Sequence, residues 1–301
     1  MKTTTCTLFA TLVAALAPTM GYAADDQWQV GTAPSFSSGK YGTDSRTEVF
    51  HTSISARRLF TDGDLTLVFP FTCIKGDGGV TVVNGSPVRT DLTSTRTSGD
   101  TTTTRAGTST TRTGTTTTTT RTTSDVTAPQ DAVATAAPTT SCGMGDIVIR
   151  GRYYIVDESN WWPTIAIRGH VKAPTANADK GLGTGRPDEG VGLEVSRTVA
   201  ATTFMVDGGY TLIGKPVGVD FRNHWWYDVG IGQDMAGGVV NLSVFFEEYS
   251  AIVSGFINAR DVLAALTVKS ANGWRLQISG EVGLSDGAPD HGFTFGASRR
   301  F

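Results

Sequence analysis

The sequence predicts an all-β protein, and specifically a transmembrane antiparallel up-and-down β-barrel of about 12 strands. Three observations support this fold class. The segment that ends at Phe301 alternates apolar and polar residues and then stops on an aromatic side chain. The first residues resemble a secretory leader. Between these ends, alternating segments recur, and none is an apolar stretch of the roughly 20 residues that a spanning helix requires.

The N-terminal segment has the parts of a signal peptide. Lys2 supplies the positive charge, residues 8–16 form a short apolar core, and Pro18 ends it before the small residues at 21–23. We predict a signal peptide over residues 1–23 and a barrel over residues 24–301. A membrane anchor is the alternative interpretation, but the apolar core is shorter than a spanning helix.

Alternating segments define the predicted strands in chain order, with Gly, Asp and Asn clusters between them. The predicted strands are 27–37, 48–57, 65–73, 146–156, 164–172, 191–198, 203–213, 224–233, 239–249, 260–269, 274–284 and 292–301. Connections after even-numbered strands are mostly short and several after odd-numbered strands are longer, which predicts periplasmic turns and outer loops respectively.

Each predicted strand has one apolar face. In the third, that face consists of Leu65, Leu67, Phe69 and Phe71. Such a face is the core of a soluble sandwich or the lipid band of a barrel, and periodicity does not separate the two. The predicted signal peptide, the final aromatic residue and the scarcity of cysteine favour the barrel.

The final segment predicts how the barrel closes and where it resides. Phe293, Phe295 and Phe301 are expected to form the C-terminal signal that closes the barrel and contacts the barrel-assembly machinery. We therefore expect localisation in the bacterial outer membrane, contact with outer-membrane lipid and, by default, a monomer.

A Thr-rich insertion, residues 74–141, separates the third and fourth predicted strands. Its low-complexity part, from about Thr90 to Thr127, lacks apolar residues, so we predict a disordered outer loop. A glycosylated or adhesive role is the alternative to a neutral loop. Cys73 and Cys142 lie at its two ends, which predicts a disulfide in an oxidising compartment; two free thiols are the alternative.

Charged side chains alternate with the apolar face and predict a polar lumen. The predicted lumen residues are Arg150, Arg152, Arg168, His170, Lys172, Glu194, Asp207, Asp228, Glu247, Arg275 and Glu281. Basic residues predominate on the fourth and fifth predicted strands and acidic residues on the sixth to ninth. The basic and acidic walls either face each other across a narrow pore, or their charges pair and fill the interior. Residues 174–189 form a loop that is a candidate constriction of the pore.

Enzyme, cofactor and metal signals are weak. None of the four histidines lies in a metal or nucleophile motif, and the net charge of −3 does not suggest nucleic-acid binding. We expect no enzymatic activity, cofactor, metal or nucleic-acid partner, with a lipid hydrolase using His51, Ser53 and Ser55 as the enzymatic alternative. Trp225, Trp226 and Tyr227, with Trp161 and Trp162, predict an interfacial girdle, or alternatively an aromatic substrate platform.

Four segments resemble the MetA-pathway phenol-degradation family of outer-membrane barrels, described also as transporters. They are FSSGKYG at 36–42, GDI at 145–147, VKAPTANADKGLGTG at 171–185 and SDGAPD at 285–290. The resemblance implies passage of small, including aromatic, molecules across the outer membrane. The Thr-rich insertion and Arg299 depart from the family pattern.

Together these observations predict an outer-membrane channel for passive uptake of small molecules, aromatic or polar, through a narrow charged lumen. The alternative is a non-conducting structural or surface-interaction barrel whose outer loops contact a partner.

Overall fold

A computed structural model describes residues 27–43, 45–76, 78–83, 86–89, 139–216 and 221–301. The predicted signal peptide and the Thr-rich low-complexity part lie outside these residues. The strands are β1 Gln27–Gly39, β2 Thr47–Phe60, β3 Gly63–Gly76, β4 Val80–Val83, β5 Ser86–Arg89, β6 Thr139–Met144, β7 Ile147–Val156, β8 Thr164–Ala173, β9 Asp188–Val199, β10 Thr202–Leu212, β11 His224–Met235, β12 Val240–Tyr249, β13 Ala259–Lys269, β14 Trp274–Gly283 and β15 His291–Arg300. Short 3₁₀ turns occupy Ala178–Lys180 and Ala236–Gly238.

The strands form a closed antiparallel barrel, which confirms the predicted fold class. Outside the inserted β4–β6 segment, each strand pairs with its neighbour in the chain, and β15 pairs with β1 to complete the ring. β6 and β7 pair in succession with β3 and so occupy one position, while β4 pairs only with β5. The wall therefore has 12 strand positions and closes on itself. Within the described residues, no helix is long and apolar enough to span a membrane.

The period-2 alternation sets which side chains face the lumen. On β3, Leu65 and Phe69 point outward and are 49% and 37% exposed, whereas Val68 points inward and is 9% exposed. The same outward apolar face continues around the barrel, as with Ile149 on β7 and Ile278 on β14. Because the strands of the wall hydrogen-bond to one another around the closed ring, such an apolar outer surface suits a hydrocarbon environment.

The two ends of the barrel differ in their connections. At one end, β2–β3 and β9–β10 are joined by the pairs 61–62 and 200–201. The turn before β14 ends at Gly273, whose φ of 79° lies in the left-handed region that glycine adopts without strain. At the other end the connections are longer, including 174–187 and 213–223. We refer to these as the turn end and the loop end.

The ordered structure extends into the predicted insertion. β3 continues to Gly76 and β6 begins at Thr139, beyond the predicted strand limits. The β4–β5 hairpin also belongs to this segment, and the sequence analysis did not predict it. Its strands are only four residues long, so their alternation is too short to stand out from the surrounding polar sequence.

A disulfide joins Cys73 and Cys142, as predicted. The two residues are directly opposed in the β3–β6 ladder and have a sequence separation of 69. The covalent bond therefore fastens the base of the insertion to the wall.

Removing this disulfide is expected to lower the free energy of unfolding by about 4 kcal/mol, because the unfolded chain regains the entropy of a long closed loop. Urea unfolding of the folded protein in detergent, with and without reductant, measures the effect. The C73S/C142S variant is the control and should match the reduced wild type and ignore reductant. An identical unfolding midpoint for oxidised and reduced wild type contradicts the prediction.

Candidate functional site: the barrel lumen and its cap

All eleven predicted lumen side chains lie on inward-facing positions of their strands. The pairing register places Arg150 beside His170, Asp207 beside Glu194 and Asp228, and Asp228 beside Glu247. Arg275 lies inward near the turn end, where its register partner is Ser298. These inward-facing side chains fall into two groups. Some form ion pairs with neighbouring side chains, and others have no ionic partner.

Arg152 and Arg168 are neutralised on their own wall. The Nη2 atom of Arg152 lies 3.1 Å from the Glu194 carboxylate, and Arg168 forms ion pairs with both Glu194 and Asp207. The Arg168 guanidinium also stacks over the Trp226 ring, 5.5 Å from its centroid. The strands β7, β8, β9 and β10 are consecutive in the ring, so these acids compensate the arginines locally instead of facing them across the lumen as one predicted arrangement required.

Lys172 belongs to a buried cluster at the loop end. Its Nζ atom lies 2.7 Å from Asp188 and 3.1 Å from Asp146, and it donates to the Thr184 hydroxyl. Lys172 and Asp188 are fully buried. Asp146 accepts from the backbone of Ala176, and Asp188 accepts from that of Gly214. The cluster therefore anchors two loops to the wall and does not line open space.

A second group of lumen charges has no ionic partner. Across the described ranges, no ion pair or hydrogen bond engages the side chains of Arg150, Asp261 or Glu281, and Glu247 contacts only the Tyr249 hydroxyl, at 3.3 Å. Arg150 is exposed to the lumen, whereas Asp261 is 6% exposed and its Oδ1 atom has no hydrogen-bond partner. Burying a charged group without a partner is energetically unfavourable, so these side chains mark a site where a ligand of opposite charge is expected.

These unpaired groups line one cavity of about 580 Å³ inside the barrel. Arg150 and His170 approach it from β7 and β8, and Glu247, Asp261 and Glu281 from β12, β13 and β14. In the ring of 12 positions, β7 is the fourth and β13 the tenth, so the basic and acidic sides lie opposite each other. Cavities of about 300–1,000 Å³ are typical of small-molecule sites.

The β4–β5 hairpin and three loops cover the cavity at the loop end. Val82 packs with Val49, Ile74 and Leu182, and its backbone N–H donates to the carbonyl of Gly181. On the other side, Val88 of the hairpin packs against Ile213, Phe221 and Ile252. The hairpin therefore crosses the mouth from the β2–β3 wall to the loops after β10 and β12. We call residues 80–89 the cap.

Two buried side chains lie in the loops at the same end of the barrel as the cap. Leu182 is 1% exposed, so residues 174–187 fold inward, at the place predicted as a candidate constriction. Tyr41 is also 1% exposed, and its hydroxyl lies 3.1 Å from that of Ser37. Burial raises the pKa of Tyr41, outside the strands, so the phenol stays protonated.

Asp261 and Tyr249 line the cavity but were not predicted from the sequence, and Trp226 was predicted there only in the alternative of an aromatic substrate platform. Trp226 was predicted to lie in the outer girdle with Trp225 and Tyr227, but its ring points inward, since alternation turns it away from its neighbours. Asp261 lies on the same face of β13 as Leu263 and is the register partner of Glu247 on β12. The alternation of β13 could therefore have predicted that Asp261 points inward.

Two other polar side chains have structural partners. Glu248 is 6% exposed on the outer face, where it pairs with Arg260 and accepts hydrogen bonds from Asn258 and the Tyr227 hydroxyl. The His51 ring nitrogen lies 2.9 Å from the hydroxyl of Thr72.

The aromatic residues of the last strand lie on the outer face. Phe293, Phe295 and Phe301 are 56%, 42% and 41% exposed. Arg299 lies between them and over the Trp274 and Phe301 rings, at 5.7 and 5.0 Å from their centroids. This stacking shields part of the charge that departs from the apolar pattern.

The closed ring, its apolar outer face and its charged interior define a transmembrane β-barrel of the outer-membrane, porin-like type. Its fold is similar to that of an outer membrane channel from Pseudomonas putida F1, with a TM-score of 0.60 and 10% identity over 95% of this chain and 100% of that one. The NanC porin gives a TM-score of 0.46 at 9% identity, over 90% of this chain and 98% of that chain. The Pseudomonas putida toluene transporter TodX gives 0.37 at 7% identity, over 93% and 89% of the two chains.

The first of these similarities supports the fold alone. The two structures with TM-scores below 0.5 are too distant to support a conclusion about this chain. No family model and no curated protein sequence matches the chain. Membership of the MetA-pathway phenol-degradation family therefore stays a prediction.

Proposed function

We propose that this protein is a bacterial outer-membrane channel for passive uptake of small solutes through a narrow charged lumen. The observation that carries the proposal is the cavity of about 580 Å³, which is lined by unpaired Arg150, Asp261 and Glu281. An interior that served only to fill a barrel would pair these charges or replace them with packed apolar groups. In this proposal the chain is exported by its N-terminal segment, the loop end faces outward, and Phe293, Phe295 and Phe301 contact lipid and the assembly machinery.

Planar-bilayer recording of the refolded full chain tests the proposal. A channel gives steady ohmic current steps. Silence from protein whose heat-modifiable mobility on a gel confirms folding contradicts it and supports a non-conducting barrel. The cap favours that second function, because β4–β5 packs across the mouth against the loops through apolar contacts.

Ion selectivity is expected to depend on Arg150 rather than on Arg152 or Arg168. Among the described lining residues, four carboxylates without ionic partners (Glu247, Asp261, Glu281 and Asp286) face one such guanidinium, which predicts cation selectivity. R150Q should raise the cation-to-anion permeability ratio, and E281Q should lower it, as measured from reversal potentials in a salt gradient.

The matched control is R197Q, because Arg197 lies on the outer face and donates to the carbonyl of Asn160. It should leave the ratio unchanged. Equal ratios for wild type and R150Q would mean that the conducting path avoids the cavity.

A further inference from the structure

The unpaired charges of the lumen specify a ligand with two opposite charges. Among the described cavity-lining residues, carboxylates lacking an ionic partner come from neighbouring strands β12, β13 and β14 and from Asp286 in the loop after β14. A guanidinium without a partner comes from the opposite strand β7. Asp261 is the strongest indicator, because only 6% of the residue is exposed and its Oδ1 atom has no hydrogen-bond partner. A solute that places an ammonium group at the acidic wall and a carboxylate at Arg150 would pair the charges on both walls.

The spacing of the walls sets the length of that solute. Twelve strands about 4.8 Å apart and tilted by about 40° give a backbone diameter of about 24 Å. An arginine reaches about 6–7 Å and an acidic side chain about 3–4 Å from the backbone, which leaves a gap of about 13–15 Å. An extended chain of three to four amino acids spans about 10–14 Å.

We propose that the cavity is a binding site for a short zwitterionic peptide, with its terminal ammonium at Asp261, Glu247 and Glu281 and its terminal carboxylate at Arg150. This inference rests on the proposed function and names the class of solute. Tyr249 adds an aromatic surface to the acidic side of the cavity, which favours an ammonium group. Charge-assisted hydrogen bonds at both ends supply affinity that a singly charged solute does not obtain.

Isothermal titration calorimetry of the full chain, folded in detergent, tests the site without requiring conduction. The probes are trialanine, N-acetyl-trialanine, which lacks the ammonium, and trialanine amide, which lacks the carboxylate. We expect trialanine to bind, and each blocked peptide to bind at least about tenfold more weakly.

Variants assign each end of the peptide. D261N should weaken trialanine binding at least about tenfold and remove its advantage over the N-acetyl form. R150Q should have the same effect and remove the advantage over the amide. E281Q provides a second test of the acidic wall should D261N fold poorly. The outer-face variants E189Q and R197Q are matched controls and should bind as wild type does.

The proposal is overturned by undetectable binding of trialanine at millimolar concentration, by blocked peptides that bind as tightly as trialanine, or by equal losses in the control variants. Binding without conductance would reject the channel and retain the site. Conductance without binding would reject the site and retain the channel.

Discussion

Replacing residues 77–138 with Asn-Gly is expected to increase single-channel conductance several-fold. Gly76 and Thr139 are direct partners in the β3–β6 ladder, so a two-residue hairpin turn can join them. The replacement removes the cap, whose Val82 and Val88 pack against opposite sides of the mouth. The wall remains intact, because Cys73, Cys142 and the paired residues of β3 and β6 stay in place. Recording in planar bilayers at fixed salt measures the change.

A matched variant separates the cap from the Thr-rich segment. Replacing only residues 91–138 with a flexible Gly/Ser linker of about 12 residues keeps β4 and β5 and should preserve wild-type conductance. A similar increase in both variants would assign the obstruction to the Thr-rich segment, and unchanged conductance in both would show that the cap does not limit the current.

Truncating Lys172 to alanine is expected to destabilise the barrel by about 3–5 kcal/mol. The substitution leaves the carboxylates of Asp146 and Asp188 buried beside each other without their shared cation. It should also loosen the inward fold of residues 174–187, because the Thr184 hydroxyl loses its donor. The midpoint of urea unfolding in detergent, or the temperature at which the heat-modifiable gel shift disappears, measures the loss.

Lys180 provides the control, because its side chain is exposed on the short 3₁₀ turn of the same loop. K180A should change the free energy of unfolding by no more than about 0.5 kcal/mol. Combining K172M with D146N and D188N should recover much of the loss, since it removes the uncompensated charges together. A loss in K172A no larger than in K180A would contradict the structural role of the cluster.

Local alternation determined most of the wall. All twelve predicted strands occur, and the facing of Leu65, Phe69, Arg150 and Glu281 follows from a period of two, which is a property of each strand alone. The Cys73–Cys142 disulfide could also be predicted, because the flanks of an insertion between paired strands must lie close together. These features need no knowledge of distant neighbours.

Tertiary structure alone decided how the inward charges are used and what covers them. Arg168 and Arg150 have the same sequence signature, but β9 and β10 supply carboxylates to Arg168 and none to Arg150. The short β4–β5 hairpin folds over the mouth because Val82 and Val88 find apolar partners from segments far apart in the chain. Pairing and packing depend on which strands and loops the closed ring brings together. Alternation therefore specifies the side on which a residue lies, and only closure of the barrel specifies its partner.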